Sequence, residues 1–233
     1  MSQATHLTPM TTTPAEAGPN KLLKTIFTVA WMAILLGILV QLAVFSAKIS
    51  AGAKLPAIQL MVDVASGVAW SVIVCGGVAI GTVATKSVPQ LMGLLGLICA
   101  PLAFAAAKGA QRGVAWVSGQ PMDQINMLTY QIGAAKTLEY AALGFVLGTI
   151  IRTPKSTLTN HVLIGLGFGA VFASLIVWLN IQSMANGAPL PPPRMWATMV
   201  NEFIFPLGCS LVIFAVAKMS DHASARERIV AGS

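Results

Sequence analysis

The sequence predicts an all-α protein, a polytopic transmembrane helical bundle of about six spans with one interfacial amphipathic helix. Three observations lead there. Hydrophobic residues make up 56% of the 233 and charged residues 9%, with a mean hydropathy of +0.78, whereas a soluble domain carries roughly 25% charged residues. Apolar runs recur over 25–46, 57–85, 89–107, 132–151, 161–181 and 193–218, and about 20 such residues cross a hydrocarbon core about 30 Å thick. Finally, most of the 14 Lys and Arg flank these runs, giving a net charge of +7 against 7 Asp and Glu. That distribution anchors helices at a lipid bilayer and lacks the clustered basic face that nucleic acid requires.

Residues 1–20 are rich in Thr, Pro and Ala and too poor in apolar residues to fold alone, so a polar, flexible N-terminal arm is expected. Residues 21–218 then form a single transmembrane domain, followed by a charged C-terminal tail over 219–233. Lys21 and Lys24 precede the first run, which exceeds the roughly 7–15 residues of a secretory apolar region and reads as a retained span, with a signal peptide cleaved near Ala47 as the competing reading. Lys48 and Lys54 fill the next connection, and Lys86 ends the second run. Pro89 opens the third, with Lys108 and Arg112 past its far end.

The stretch 109–131 is the longest connection. Ile125, Met127, Leu128 and Ile132 recur at helical spacing with Asp123, Gln124 and Asn126 between them, which predicts a helix lying in the headgroup zone. Trp116 and Tyr130 are its expected interfacial anchors. Arg152, Pro154 and Lys155 close the fourth span. Three consecutive prolines, Pro191 to Pro193, open the sixth, because proline's fixed φ suits a first helical turn whose N–H groups have no partners to lose.

Six spans place both termini on one side of the membrane. Lys21, Lys24, Lys86, Arg152, Lys155, Lys218, Arg226 and Arg228 share that side, eight against the six of Lys48, Lys54, Lys108, Arg112, Lys136 and Arg194. The positive-inside rule, weighted toward the first helix and short loops, then predicts cytoplasmic termini in a bacterial inner (plasma) membrane.

The second, fourth and sixth spans each carry an acid about six to nine residues beyond their starts, so at about 1.5 Å per residue Asp63, Glu139 and Glu202 fall at similar depth. Gln41 and Asn180 reach the same level. An ionisable group at that depth needs a partner, a proton or water, which makes these residues a candidate intramembrane polar site. Lys136, three residues before Glu139, lies on the same helix face and is the expected partner for it. For Glu202, Arg194 is two turns away, so a partner from another span is expected. Acids early in a helix are also favoured by the macrodipole, which is the plainer explanation for all three. Pro206, one turn after Glu202, is expected to kink the sixth span beside the acid.

The connections before Asp63 and Glu202 share the pattern G-A-x-L-P, over 52–56 and 187–191. Such a repeat fits transporter architecture, although turns reuse Gly and Pro in any case. GxxxG spacing at Gly77/Gly81, Gly144/Gly148 and Gly165/Gly169 marks helix packing faces, within the chain or between subunits.

Cys75, Cys99 and Cys209 lie inside apolar runs and are odd in number, which disfavours a disulfide framework. His6, His161 and His222 lie in a tail, at a helix start and in the other tail, so two histidines are not placed to hold a haem across the bundle. HExxH, CxxC, GxSxG and phosphate-loop patterns are absent. No catalytic residue, metal or cofactor is therefore expected. Short loops, GxxxG faces and two polar tails predict an accessory or scaffold subunit docked on other membrane proteins of a larger inner-membrane complex. The alternative is a proton or cation channel or transporter using Glu202 with Asp63 and Glu139.

Overall fold

The computed structural model describes residues 19–54, 57–83, 87–119, 125–184 and 188–231, with the side chains of 19–22, 24, 25, 83 and 220–231 outside that description. The described residues form six helices and no strand: α1 (Pro19–Ser50), α2 (Ala57–Ile80), α3 (Val88–Val117), α4 (Met127–Ile150), α5 (Leu158–Gln182) and α6 (Pro192–Ala231). A single 3-10 turn, Gly81–Val83, follows α2. Five of the helices, all but α4, are long and apolar enough to cross a membrane. With 24 residues, α4 matches α2 in length, and Lys136 and Glu139 lower its hydropathy.

Each helix packs on its neighbour in sequence, and α6 closes the ring on α1. The pairings run antiparallel. Lys48 and Gln41 of α1 meet Asp63 and Gly67 of α2, while Gly77 of α2 and Gly81 of the turn after it meet Cys99 and Met92 of α3. Gly96 and Gly144 bring α3 and α4 together at Tyr140 and Met92, while Gly165 and Gly169 of α5 face Leu207 and Phe203 of α6. In lipid no hydrophobic drive separates helix–helix from helix–lipid contact, so close backbone approach supplies the packing energy. All six GxxxG glycines are buried and turned toward another helix of this chain. The interior between them is filled by Val40, Trp70, Val74, Met92, Tyr140, Leu143, Leu147, Cys209 and Ile213. Large apolar side chains such as Phe27, Trp31, Leu39, Leu102 and Leu163 are exposed on the outside, the inverse of a soluble protein's surface.

Several boundaries differ from expectation, beginning with α1, which runs over Pro19–Ser50 rather than 25–46. No separate interfacial helix occupies 109–131 among the described residues: α3 runs on to Val117, α4 begins at Met127, and 120–124, with Asp123 and Gln124, lie outside the description. The polar run after Lys108 contains no proline before Pro121, so α3 continues unbroken through it until Gly119 turns the chain with a φ of 66°. A capping box starts α4 early, Asn126 accepting from the Thr129 N–H at 3.1 Å while Thr129 Oγ1 accepts from the Asn126 N–H at 3.4 Å. At the other end, α6 continues through the expected tail to Ala231. No Gly or Pro occurs between Gly208 and Gly232, and Ala, Arg and Glu support a helix there. Trp116 and Tyr130 remain outward, 74% and 67% exposed at the ends of α3 and α4. The G-A-x-L-P pattern falls partly outside the described residues, at Leu55, Pro56 and Gly187.

A Cβ at Gly165 would stand 2.6 Å from the Leu207 Cα, whereas one at Gly167 meets nothing within 4 Å. Gly165→Ala is therefore expected to destabilise the α5–α6 pair by about 1–3 kcal/mol, and Gly167→Ala to be neutral or slightly stabilising. Thermal unfolding of the two variants in detergent separates these outcomes.

Candidate functional site

Three acids have described side chains, and each is held by a lysine. At the edge of the bundle, where α1 ends and α2 begins, Lys48 Nζ lies 2.6 Å from Asp63 Oδ2, and Gln59 Nε2 donates to Asp63 Oδ1 at 2.9 Å. Gln59 and Asp63 are one turn apart on α2, and Gly52, at a φ of 88°, turns the chain between the two helices. The connection is short, so Lys48 comes back onto Asp63.

Deeper in the bundle, Lys136 of α4 forms ion pairs with two acids, Glu139 Oε2 at 3.3 Å on its own helix and Glu202 Oε2 on α6. Lys136 and Glu202 are each 5% exposed and Glu139 0%. Its ammonium also lies 5.4 Å from the ring centre of Trp70 and 5.6 Å from that of Tyr140, within cation–π range. Asn201 Nδ2 donates to Glu202 Oε1 at 3.0 Å, and Gln41 Nε2 of α1 donates to Asn201 Oδ1 at 3.3 Å. A polar chain thus runs from Gln41 through Asn201, Glu202 and Lys136 to Glu139. Its inner end is incomplete, because Glu139 Oε1 and Tyr140 Oη are buried with no hydrogen-bond partner.

The three acids do not form the single ring expected at one depth. Glu139 and Glu202 meet at Lys136, whereas Asp63 lies about 9 Å along α2 and pairs with Lys48 instead. Asp63 and Glu202 instead line one cavity of about 300 Å³, with Lys48, Lys136, Gln41 and Asn201. Ser66, Lys108, Gln111 and Thr198 add polar walls, and Trp70, Phe104 and Phe205 apolar ones. Glu139 does not line the cavity and is joined to it through Lys136. Beyond it, Leu143 and Leu147 continue α4 into the apolar interior. Asn180 stands apart: its Nδ2 donates back to the Ile176 carbonyl at 2.8 Å, and its Oδ1 accepts from Arg194 at 2.8 Å. That bond ties α5 to the start of α6 and accounts for Arg194. Pro206 lacks an N–H, which leaves the Glu202 carbonyl without its usual intrahelical donor beside the ion pair.

Sequence reasoning passed over Lys48, Gln59, Trp70 and Asn201. Gln59 was open to the same one-turn argument that linked Lys136 and Glu139, and Asn201 stands next to Glu202 in the chain. Lys48 and Trp70 reach their partners across helices, so no spacing rule reveals them.

No protein family, curated protein or solved structure matches the chain. Fold and site together define a helical integral membrane protein with a charged cavity among its spans. No group of three or more metal-ligating side chains that could hold an ion occurs among the described residues.

Removing one member of a buried ion cluster leaves the others uncompensated. Lys136→Met strands two carboxylates and is expected to cost about 3–5 kcal/mol, whereas Glu202→Gln leaves Lys136 with Glu139 and is expected to cost clearly less. Unfolding midpoints of the two variants in the same detergent check the order.

Proposed function

We propose that the protein moves protons or small cations across its membrane, with Lys136, Glu139 and Glu202 as the ion-accepting cluster. One observation carries this reading: Glu202 lines the cavity and is also ion-paired to the lysine that holds the buried Glu139. A cluster with one ammonium and two carboxylates has one negative charge in excess when fully ionised. Surrounded by Trp70, Tyr140 and Leu143, that excess is costly, and taking up one proton or cation from the cavity removes it. Glu139 Oε1, which lacks a donor, is the position such a proton would occupy. With the termini cytoplasmic, as the Lys and Arg distribution favours, the cavity opens toward the non-cytoplasmic side. The polar chain from Gln41 then leads inward, and the layer of Leu143, Leu147 and Met92 is the barrier that must rearrange for passage.

The second reading, an accessory subunit of a larger inner-membrane complex, drew on the GxxxG faces as docking surfaces. Those glycines are turned inward onto helices of this chain, which removes one of its three supports and leaves the short loops and the two polar tails.

The test is reconstitution of the purified chain in liposomes under a proton or potassium gradient. Wild type is expected to dissipate one of the gradients, and Glu202→Gln to lower the rate by about tenfold or more, the kinetic equivalent of roughly 1.4 kcal/mol. Wild-type flux no higher than that of empty liposomes overturns the proposal, and co-purification with other membrane proteins in fixed ratio favours the accessory role. Equal flux in the variant removes Glu202 from the path.

A further inference from the structure

A second cavity, of about 490 Å³, lies between α3 and α4. Its walls are chiefly apolar, with Phe104 of α3 facing Gly133 of α4. A Cβ at Gly133 would approach the Phe104 ring to 3.3 Å, so the absent side chain keeps the groove open. Its end toward the membrane surface differs. Lys108 and Arg112, one turn apart on α3, line it there beside Tyr130. Taking the hydrocarbon as about 20 residues of α3 from Val88, this end lies at headgroup level, and the exposed Trp116 and Tyr130 mark the same zone. Among the described residues neither cation is ion-paired with a carboxylate: Asp63 is held by Lys48, and Glu139 and Glu202 by Lys136.

We propose that this groove is a binding site for an anionic phospholipid, with its phosphate on Lys108 and Arg112 and an acyl chain along Phe104 and Gly133. The charge complementarity selects the headgroup. Arginine's planar fork matches phosphate oxygens in pairs, and lysine adds a point charge. The apolar groove beneath selects a lipid over a free anion. Lys108 and Phe104 also line the charged cavity, so the bound headgroup stands at its mouth. This site rests on residues outside the Lys136 cluster and does not depend on the transport reading.

Native mass spectrometry of the full-length chain tests it, with equimolar phosphatidylglycerol and phosphatidylcholine of identical acyl chains. Wild type is expected to retain phosphatidylglycerol over phosphatidylcholine by about fivefold or more. The double variant Lys108→Gln/Arg112→Gln is expected to bring the ratio close to one, Lys108→Arg to keep it, and Gly133→Leu to lower retention of both lipids. Equal retention by wild type, or a preference that survives in the double variant, overturns the proposal. Inorganic phosphate displacing the lipid at equal concentration overturns it as well, since the groove would then add nothing. Glutamine keeps the helix propensity of the residues it replaces, and an unchanged unfolding midpoint confirms that the double variant folds.

Discussion

An ammonium group buried inside a membrane protein is largely withdrawn from water and must find its counter-charge in the protein. Lys136 meets that requirement twice, with Glu139 on its own helix and Glu202 on α6. Two distant parts of the chain are thereby fixed against each other, since few other contacts join α4 and α6 directly. Other interior features follow from that bond. Trp70 and Tyr140 enclose the ammonium with their ring faces, Asn201 satisfies the remaining oxygen of Glu202, and Gln41 orients Asn201. The cavity exists because these polar groups and the Lys48–Asp63 pair at its edge prevent the helix ends from closing over an apolar core.

The close contacts at glycine make the arrangement possible. Trp70, Tyr140 and Phe104 are bulky, and helices carrying them meet only where a neighbouring backbone gives room. Gly96 does so against Tyr140, and Gly67 against Gln41. Small residues thus determine where helices touch, and charged residues determine which helices must.

Helix number and approximate position were legible because hydropathy at span length is a strong signal. Helix ends were less so. Hydropathy reports where lipid stops rather than where the hydrogen-bond ladder stops, so α3 and α6 run on through polar residues such as Lys108, Arg112 and Lys218. The Asn126–Thr129 capping box was present in the sequence as a start signal, but the apolar spacing of Ile125, Met127, Leu128 and Ile132 suggested a different helix. Of the candidate site, Glu202, Glu139 and Lys136 could be found by depth and by one-turn spacing. Which acid shares Lys136 could not, because pairing across helices depends on rotation about each helix axis. A shift of two residues at the start of α4 turns a side chain to the opposite face. Asn180 illustrates the limit: its depth matches the site, yet its rotation sends it to Arg194.

The low hydropathy of α4 bears on how the protein is made. The chain emerges from the ribosome N-terminus first, so α4 must enter the membrane before α6 exists, and Lys136 then has one of its two partners. The spacing of Lys136 and Glu139 on a single helix face lets α4 travel as a neutral segment, shielded along the already inserted α3 by Gly96, Gly144 and Gly148. Glu202 arrives last. Its arrival converts a balanced pair into a cluster with excess negative charge, so the property proposed to drive transport is absent from every shorter nascent chain and is acquired only at the final step of assembly.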